Sequence, residues 1–495
     1  MREWDRFTME HEPIASIDLM ERAALACTGW IEANLPRQTS FIILCGRGNN
    51  GGDGLAIARQ LRERGYNVDA YALSGDRPGS ADFETNKARW ETLAPLTLLS
   101  SAGEWQPAPA AVVIDALVGT GLNEPLRGLT AGLVEKLNES GRRIISIDLP
   151  SGLFTDASSK GLTVVHAETT LTFQATKMGL LLAENGPFTG SVHVLDIGLH
   201  PDFPGLQTPG PQLIDKKMIA GIYRPRKPYT HKGDFGHMLL LAGSYGKMGA
   251  AVLATRAGLH AGAGLLTVSI PACGYIIMQT ALPEAMVLTD SEERLLAHLP
   301  EGLDKYGAIG IGPGIGTADG TRTLVAQLIK TYAQPLVIDA DGLNCLAREP
   351  HLLDQLPVNS ILTPHPKEFD RLFGEQENEA ARIARAMEEA RSKKIVIVLK
   401  GAHTLVATPG GQAFFNSTGN AGMAKGGSGD VLTGIITALL AQKYKPEDAA
   451  VLGVYLHGLA GDIAAEATGQ EAMTPSDLTL ALGPAFLRIK QYAKD

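Results

Sequence analysis

Cysteine is scarce in this chain. Its 495 residues include four, Cys27, Cys45, Cys273 and Cys345, far apart and without a CxxC or other ligand spacing. That pattern excludes a disulfide framework and a cysteine-based structural zinc site. Cys45 closes an apolar run and is expected as a buried thiol. Long apolar stretches are missing too, and none reaches the ~20 residues a membrane-spanning helix needs. The opening MREWDRFTMEHEP is charged and has no apolar core, unlike a secretory signal. Positive charge is in deficit: the formal net charge is −9. General attraction to nucleic acid or anionic membranes is therefore not expected. No low-complexity tract and no repeat between the halves is visible. The expected location is cytoplasmic.

What is present is ordinary globular material, 44% hydrophobic and 20% charged. The chain is too long for one core, since single cores stop growing near ~250–300 residues. The segment PDFPGLQTPGP, Pro201–Pro211, has the prolines, glycines and missing periodicity of a linker. The expected domains are 1–205 and 213–495, both α/β. Strands are expected at Phe41–Cys45, Val68–Leu73, Val112–Ile114 and Ile144–Ile147 in the first. In the second they are expected at Met238–Leu241, Leu266–Ile270, Ala308–Ile311, Leu336–Ile338, Ser360–Leu362 and Ile395–Leu399. Short apolar runs followed by glycine or an acid and then a helix suit buried parallel strands.

After FIILC comes GRGNNGGDG and then a helical LAIARQLRERG. Gly46, Gly48 and Gly51 match GxGxxG, and Asp69 ends the next strand about 20 residues on. The match alone leaves two readings, a dinucleotide site or a tight turn. Amides at a helix start favour an anion, while Asn49, Asn50 and Asp53 add polar atoms that a bare pyrophosphate cradle does not need. Two further strands end in acids, Asp115 before ALVGTGL and Asp148 before LPSG. Ligands gather at such strand ends, and an amide, a carboxylate and a serine oxygen suit a hard cation. Each acid taken alone is equally compatible with a turn cap.

GRGNNGGDG, IDALVGTGL, IDLPSG and TLTFQATKMGLL, in that order over residues 1–200, resemble the NAD(P)HX epimerase domain, whose relatives include the apolipoprotein A-I binding proteins. The resemblance implies a Rossmann-like three-layer fold. It implies dinucleotide contacts from Asn49, Asn50, Gly51, Gly52 and Asp53, from Gly119, Thr120, Gly121, Leu122, Asn123, Glu124 and Pro125, and from Asp148. It also implies potassium bound by Asn50, Asp115 and Ser151. Lys177 falls in the matching motif and is kept as a candidate substrate contact.

The second half is denser in signals. GMAKGGSGD leads into the helical VLTGIITALLAQ. Gly426, Gly427 and Gly429 permit close backbone approach, and the helix start favours a phosphoryl group. Asp430 stands where it can take a proton from a substrate hydroxyl, or simply cap the helix. His365, between two prolines after a strand, reads as a ligand contact or as a turn holder. The scattered histidines do not make a metal site.

KGDFGH, GPGIG, DADGLN, TPHPKEF, KGAHT and GMAKGGSGDVLTG resemble the NAD(P)HX dehydratases of the ribokinase-like fold, over most of residues 215–495. The resemblance implies that Ala250, Gly314, His365 and Asp430 contact the hydrated dinucleotide. Lys400, Gly401, Ala402, His403, Thr404 and Gly429 would contact the adenine nucleotide, with Mg2+ present. The implied chain is bifunctional, an isomerase and a lyase. Its first half interconverts R- and S-NAD(P)HX, and its second dehydrates the S form with ADP, giving NAD(P)H, AMP and phosphate. Asp430 would activate the ring hydroxyl for phosphorylation, which turns it into a good leaving group. The expected partners are NADHX, NADPHX and ADP, in a homo-oligomer, without nucleic acid or membrane. Two rivals remain at this point: a kinase of a small alcohol, since the fold shares the GxGD logic, and a non-catalytic dinucleotide-binding module in the first half.

Overall fold

The computed structural model describes residues 1–106, 111–207 and 210–492. It divides into two compact units, Met1–Thr208 and Pro209–Asp495. Among the described residues, no helix is long and apolar enough to cross a membrane.

The first unit is built on strands β1 (Ser40–Cys45), β2 (Asn67–Leu73), β3 (Leu96–Leu99), β4 (Val112–Ala116), β5 (Ile144–Ile147), β6 (Thr169–Phe173) and β7 (Ser191–Leu195). They form one sheet in the order β3-β2-β1-β4-β5-β6-β7, and every pairing is parallel. β4, β5 and β6 are buried along their whole length, as strands covered on both faces must be. The helix Asn49–Glu63 fills the space beside β1, β2 and β4 with Leu55, Ile57 and Leu61, all fully buried. Each such side chain contributes about 1.5–3 kcal/mol relative to exposure. The chain winds from β1 to one edge and restarts at β4 on the other side of β1. The loops after β1 and β4 therefore part and leave a crevice.

The second unit contains β8 (Pro211–Leu213), β9 (His237–Leu241), β10 (Leu265–Ile270), β11 (Met286–Thr289), β12 (Ala308–Ile311), β13 (Leu336–Ile338), β14 (Ile361–Leu362), β15 (Val396–Leu399), β16 (Leu405–Ala407) and β17 (Ala413–Phe415). The sheet order is β11-β10-β9-β12-β13-β14-β15-β16-β17-β8. Its parallel part, β9 to β15, repeats the winding of the first unit strand for strand, with the parting between β9 and β12. β16 and β17 then run antiparallel, and β8 lies parallel to β17. The helix Ser428–Ala441 is almost wholly buried against the helix Met248–His260. Gly434 makes that contact possible, since a Cβ there would sit 2.1 Å from the Ala254 carbonyl oxygen.

All ten expected strands exist; five extend beyond their apolar runs, three match them and two are a residue shorter. The seven others lacked that signal. β6 (TTLTF) and β7 (SVHVL) are rich in polar residues, and β16 and β17 span three residues each. β8 begins on Pro211, inside the stretch expected to be a linker, so that expectation is corrected at its last residue. Residues 208 and 209 of that stretch lie outside the described residues. All four cysteines are free, and Cys45 is fully buried as expected.

Candidate active sites

In the first unit the crevice is a cleft of about 870 Å³. Asn49, Asn50 and Asp53 reach it from the helix after β1, Gly119, Thr120 and Gly121 from the loop after β4, and Asp148 from the loop after β5. Gly51 and Gly52 do not line it. A Cβ on Gly51 would fall 1.8 Å from the Gly46 carbonyl oxygen, so this glycine serves the tight turn. Gly52 faces Met20, and its carbonyl accepts a hydrogen bond from Asn86 at 3.2 Å. Leu122, Asn123, Glu124 and Pro125 continue past the cleft; the last three are exposed, and Glu124 pairs loosely with Arg127.

Beneath the cleft floor lies Asp115, fully buried. One carboxylate oxygen accepts from Ser146 Oγ (2.7 Å) and Ser151 N (2.9 Å), and the other from Ser151 Oγ (2.5 Å) and Leu117 N (3.3 Å). Burial pushes its pKa up, and these donors pull it back. Ser151 Oγ accepts in turn from Val118 N at 2.9 Å. Asn50 bridges Gly119 N and Ile147 O, each at 3.2 Å. Asp148 holds a left-handed backbone, φ 67°, a strained state for a residue with a side chain. Its carboxylate pairs with Lys177 Nζ at 2.6 Å. That ammonium also donates to Thr172 Oγ1 (2.8 Å) and Phe173 O (2.9 Å). Lys177 is thus a buried partner of Asp148 rather than a free arm in the cleft. Sequence reasoning missed this pairing and missed Asp5, which borders the cleft from the helix Arg2–His11.

In the second unit the polar motifs converge at the carboxyl ends of β13, β14 and β15. Lys400 Nζ lies 2.8 Å from Asp339 Oδ1 and 3.9 Å from Glu368, and its backbone N–H donates to Pro364 O. Thr433 Oγ1 donates to Asp339 Oδ2 at 2.6 Å. A Cβ on Gly429 would stand 3.3 Å from Lys400 Nζ, so the helix start and the ammonium face the same space. Asp430 is in the first turn of that helix but is not its cap; Gly427, at φ 100°, holds the cap position. Burial, with the negative charges of Asp339 and Asp341 nearby, pushes the Asp430 carboxyl up to about 6 against the pull of Lys400. His365 does act as a cap. Its Nδ1 accepts from Lys367 N (3.1 Å) and Glu368 N (3.3 Å), and its Nε2 lies 3.5 Å from Glu368 Oε1. Burial and the nearby cations lower its pKa, so the neutral ring is favoured.

Ala250 and Gly314 are brought together, the position of a Cβ on Gly314 being 3.1 Å from Ala250 Cβ. Asp341 ties this group to the rest by accepting from Gly316 N (2.9 Å) and Lys247 Nζ (3.1 Å). Gly401, Ala402, His403 and Thr404 form the turn between β15 and β16, closed by Gly401 N to Thr404 Oγ1 at 3.3 Å. The roles of Asp339, Asp341 and Thr433 were not foreseen, although an acid ending an apolar strand was the one available signal and DADG carries it. Among the described residues, no cluster of three or more histidine, cysteine or acidic side chains forms a metal cage.

Two doubly wound α/β units, each with its polar groups at the carboxyl ends of its parallel strands, define a two-site enzyme of nucleotide-binding type. Residues 16–179 match the family described as YjeF-related protein N-terminus, and residues 238–483 match NAD(P)H-hydrate dehydratase. The bifunctional NAD(P)H-hydrate repair enzyme of Moorella thermoacetica is 38% identical over 97% of this chain and 94% of its own length. That of Escherichia coli is 35% identical over 93% of this chain and 88% of its own. An ADP/ATP-dependent NAD(P)H-hydrate dehydratase from Bacillus subtilis, co-crystallised with ATP/Mg2+, is 31% identical, with TM-score 0.50 over 56% of this chain and 98% of that one. A ribokinase-like superfamily protein from Enterococcus faecalis is 28% identical, with TM-score 0.50 over 58% of this chain and 97% of that one. The chain belongs to the bifunctional NAD(P)H-hydrate repair enzymes.

Proposed function

We propose that the first unit interconverts the R and S forms of NADHX and NADPHX, and that the second dehydrates the S form with ADP, releasing NAD(P)H, AMP and phosphate. The observation that carries the reading is Asp430, a half-buried carboxylate in the first turn of a helix whose Gly429 stands beside Lys400. The base and the anion-binding amides therefore meet at one point. Asp430 takes the proton of the C6 hydroxyl as the terminal phosphoryl group is transferred to it. The amides at Ser428 and Gly429 and the Lys400 ammonium offset the charge that develops on that group. Phosphate then departs from C6 and a proton leaves C5 to solvent, which restores the ring double bond. Ala250, Gly314 and the half-exposed ring of His365 border the dinucleotide, and the Lys400–Thr404 turn with Gly429 borders the nucleotide. Mg2+ fits as an ion carried by the nucleotide's phosphates, which needs few protein carboxylates.

In the first unit, Asn49, Asn50, Asp53, Gly119, Thr120, Gly121 and Asp148 at the cleft hold the dinucleotide. The residues beneath it fit a monovalent cation. Asn50, Asp115 and Ser151 offer only oxygens and one negative charge, and Asp115 is entirely buried with no cation among its partners. Potassium there would neutralise that carboxylate and place positive charge under the phosphate-binding loop. Both oxygens of Asp115 already accept two donors each, so the ion would have to displace the Ser151 hydroxyl proton. Asp115→Ala is a poor probe because it orphans four buried donors at about 1–3 kcal/mol apiece; Ser151→Ala is the better one. Potassium should raise both the melting temperature and the R/S interconversion rate of the parent protein, and Ser151→Ala should abolish both responses. Identical melting curves and rates in potassium-free buffer would remove the ion from the site.

The reading as a whole is tested by adding the full chain to a mixture of R- and S-NADHX, with and without ADP. Without ADP the epimers should equilibrate and no NADH should form; with ADP both should be consumed. Accumulation of a stable phosphorylated alcohol would instead make the second unit a kinase.

A further inference from the structure

The epimerase reading, on which this inference rests, leaves the proton transfers of the first unit unassigned. We propose that Asp53 is the catalytic acid that gives a proton to the departing C6 hydroxyl of the hydrate, and that Asp148 takes the proton of the water that returns. The two reach the same cleft from different elements, Asp53 from the first turn of the helix after β1 and Asp148 from the loop after β5.

Asp53 stands apart from the other acids around it. Asp115 meets four donors, Asp148 meets Lys177, and Asp82 accepts from Ser16 Oγ at 2.6 Å. Among the described residues, no hydrogen bond or ion pair reaches the Asp53 carboxyl, although the residue is only 8% exposed. The residue lines the cleft, so its unpaired carboxyl is offered to whatever the cleft holds. Burial, followed by the charges of Asp148, Asp5 and Asp82, drives its pKa well above the usual carboxylate range. The Asp53 carboxyl therefore favours the proton-carrying form, while the carboxylate of Asp148 has the Lys177 ammonium beside it at 2.6 Å, and environments that differ in this way assign acid and base. The charges acting on it are those of Asp148, Asp5 and Asp82, while Arg2 and Arg47 line the same cleft and Lys177 pairs with Asp148.

The chemistry closes without an oxidant. The Asp53 acid protonates the hydroxyl, the C6–O bond breaks, water leaves, and the lone pair of the ring nitrogen forms a C=N bond to C6. Water adds to the other face of C6, the π pair returns to nitrogen, and the surplus proton passes to Asp148. Proton exchange with solvent resets both groups.

The test follows S-NADHX formation from R-enriched NADHX by the full chain without ADP, across pH, for the parent, Asp53→Asn and Asp5→Asn. NADH binding and ADP-dependent dehydration of S-NADHX are measured on the same samples. Asp53→Asn should slow interconversion by about 10²–10⁴-fold and erase the fall in rate that the parent shows on the alkaline side. NADH affinity should fall far less than the rate, as for a contact residue that also carries the proton, and ADP-dependent dehydration, which belongs to the second unit, should stay within about threefold of the parent. An interconversion rate near the parental one, a loss matched by lost NADH binding, or a loss that follows Asp5→Asn instead would each overturn the proposal. A parent protein that leaves R-NADHX untouched would overturn the epimerase reading itself.

Discussion

Asp430→Asn should cut ADP-dependent formation of NADH by about 10²–10⁴-fold, the usual worth of a general base. Asparagine matches the shape of aspartate but cannot accept the proton. Lys400 and Gly429 remain to hold the nucleotide, and R/S interconversion belongs to the other unit. The pH profile gives a second check. With the Asp430 carboxyl pushed up to about 6, the basic form is complete above that pH and is lost as pH falls through it. The kcat/KM of dehydration should therefore be flat above pH 6 and decline about tenfold per unit below it, as expected for one essential base. The Asn variant should show no such limb. A variant that dehydrates S-NADHX at nearly the parental rate would reduce Asp430 to a bystander.

Lys177→Met should be the most damaging single change in the first unit. It removes the cationic partner of Asp148 and orphans Thr172 Oγ1 and Phe173 O at a place almost closed to solvent. Breaking a buried pair from one side costs about 3–5 kcal/mol, which for a unit of this size lowers the melting temperature by roughly 6–20 °C. Removing both charges, in Lys177→Met with Asp148→Asn, should recover part of that loss, because no buried charge is then left alone. Calorimetry on the full chain reads both variants, and dehydration of S-NADHX should survive in each. If the double variant is no more stable than Lys177→Met, Lys177 holds the fold through Thr172 and Phe173 and not through Asp148.

The strand-end acids carried most of what the sequence could say. Asp115 and Asp148 follow apolar runs, and apolar runs in this chain are parallel strands, so their convergence on one crevice was legible. Their partners were not. Lys177 lies 29 residues from Asp148, and the left-handed backbone that aims Asp148 at it leaves no mark in ALVGTGL or IDLPSG. Gly48 and Gly51 look alike in GxGxxG, yet the first opens on empty space while the second is locked against Gly46. Only three dimensions separate ligand approach from packing. His365 shows the same limit, since one ring nitrogen caps the helix and the other lies beside Glu368, a pairing that TPHPKEF does not announce. Asp5 was invisible because nothing local links a charged N-terminal helix to a cleft built from β1, β4 and β5.

Strand β8 guards the second unit against its own sheet. Without it, β17 would present the bare amides and carbonyls of Ala413–Phe415 to any passing strand, the template on which chains stick together. With it, the outermost strand is three residues long, fully exposed and headed by Pro211, which has no N–H to offer. A gene fragment begun at Leu213 would discard that guard while keeping every catalytic motif. Such a fragment is set up to aggregate for reasons unrelated to its active site, whereas one begun a few residues earlier keeps the blunt edge.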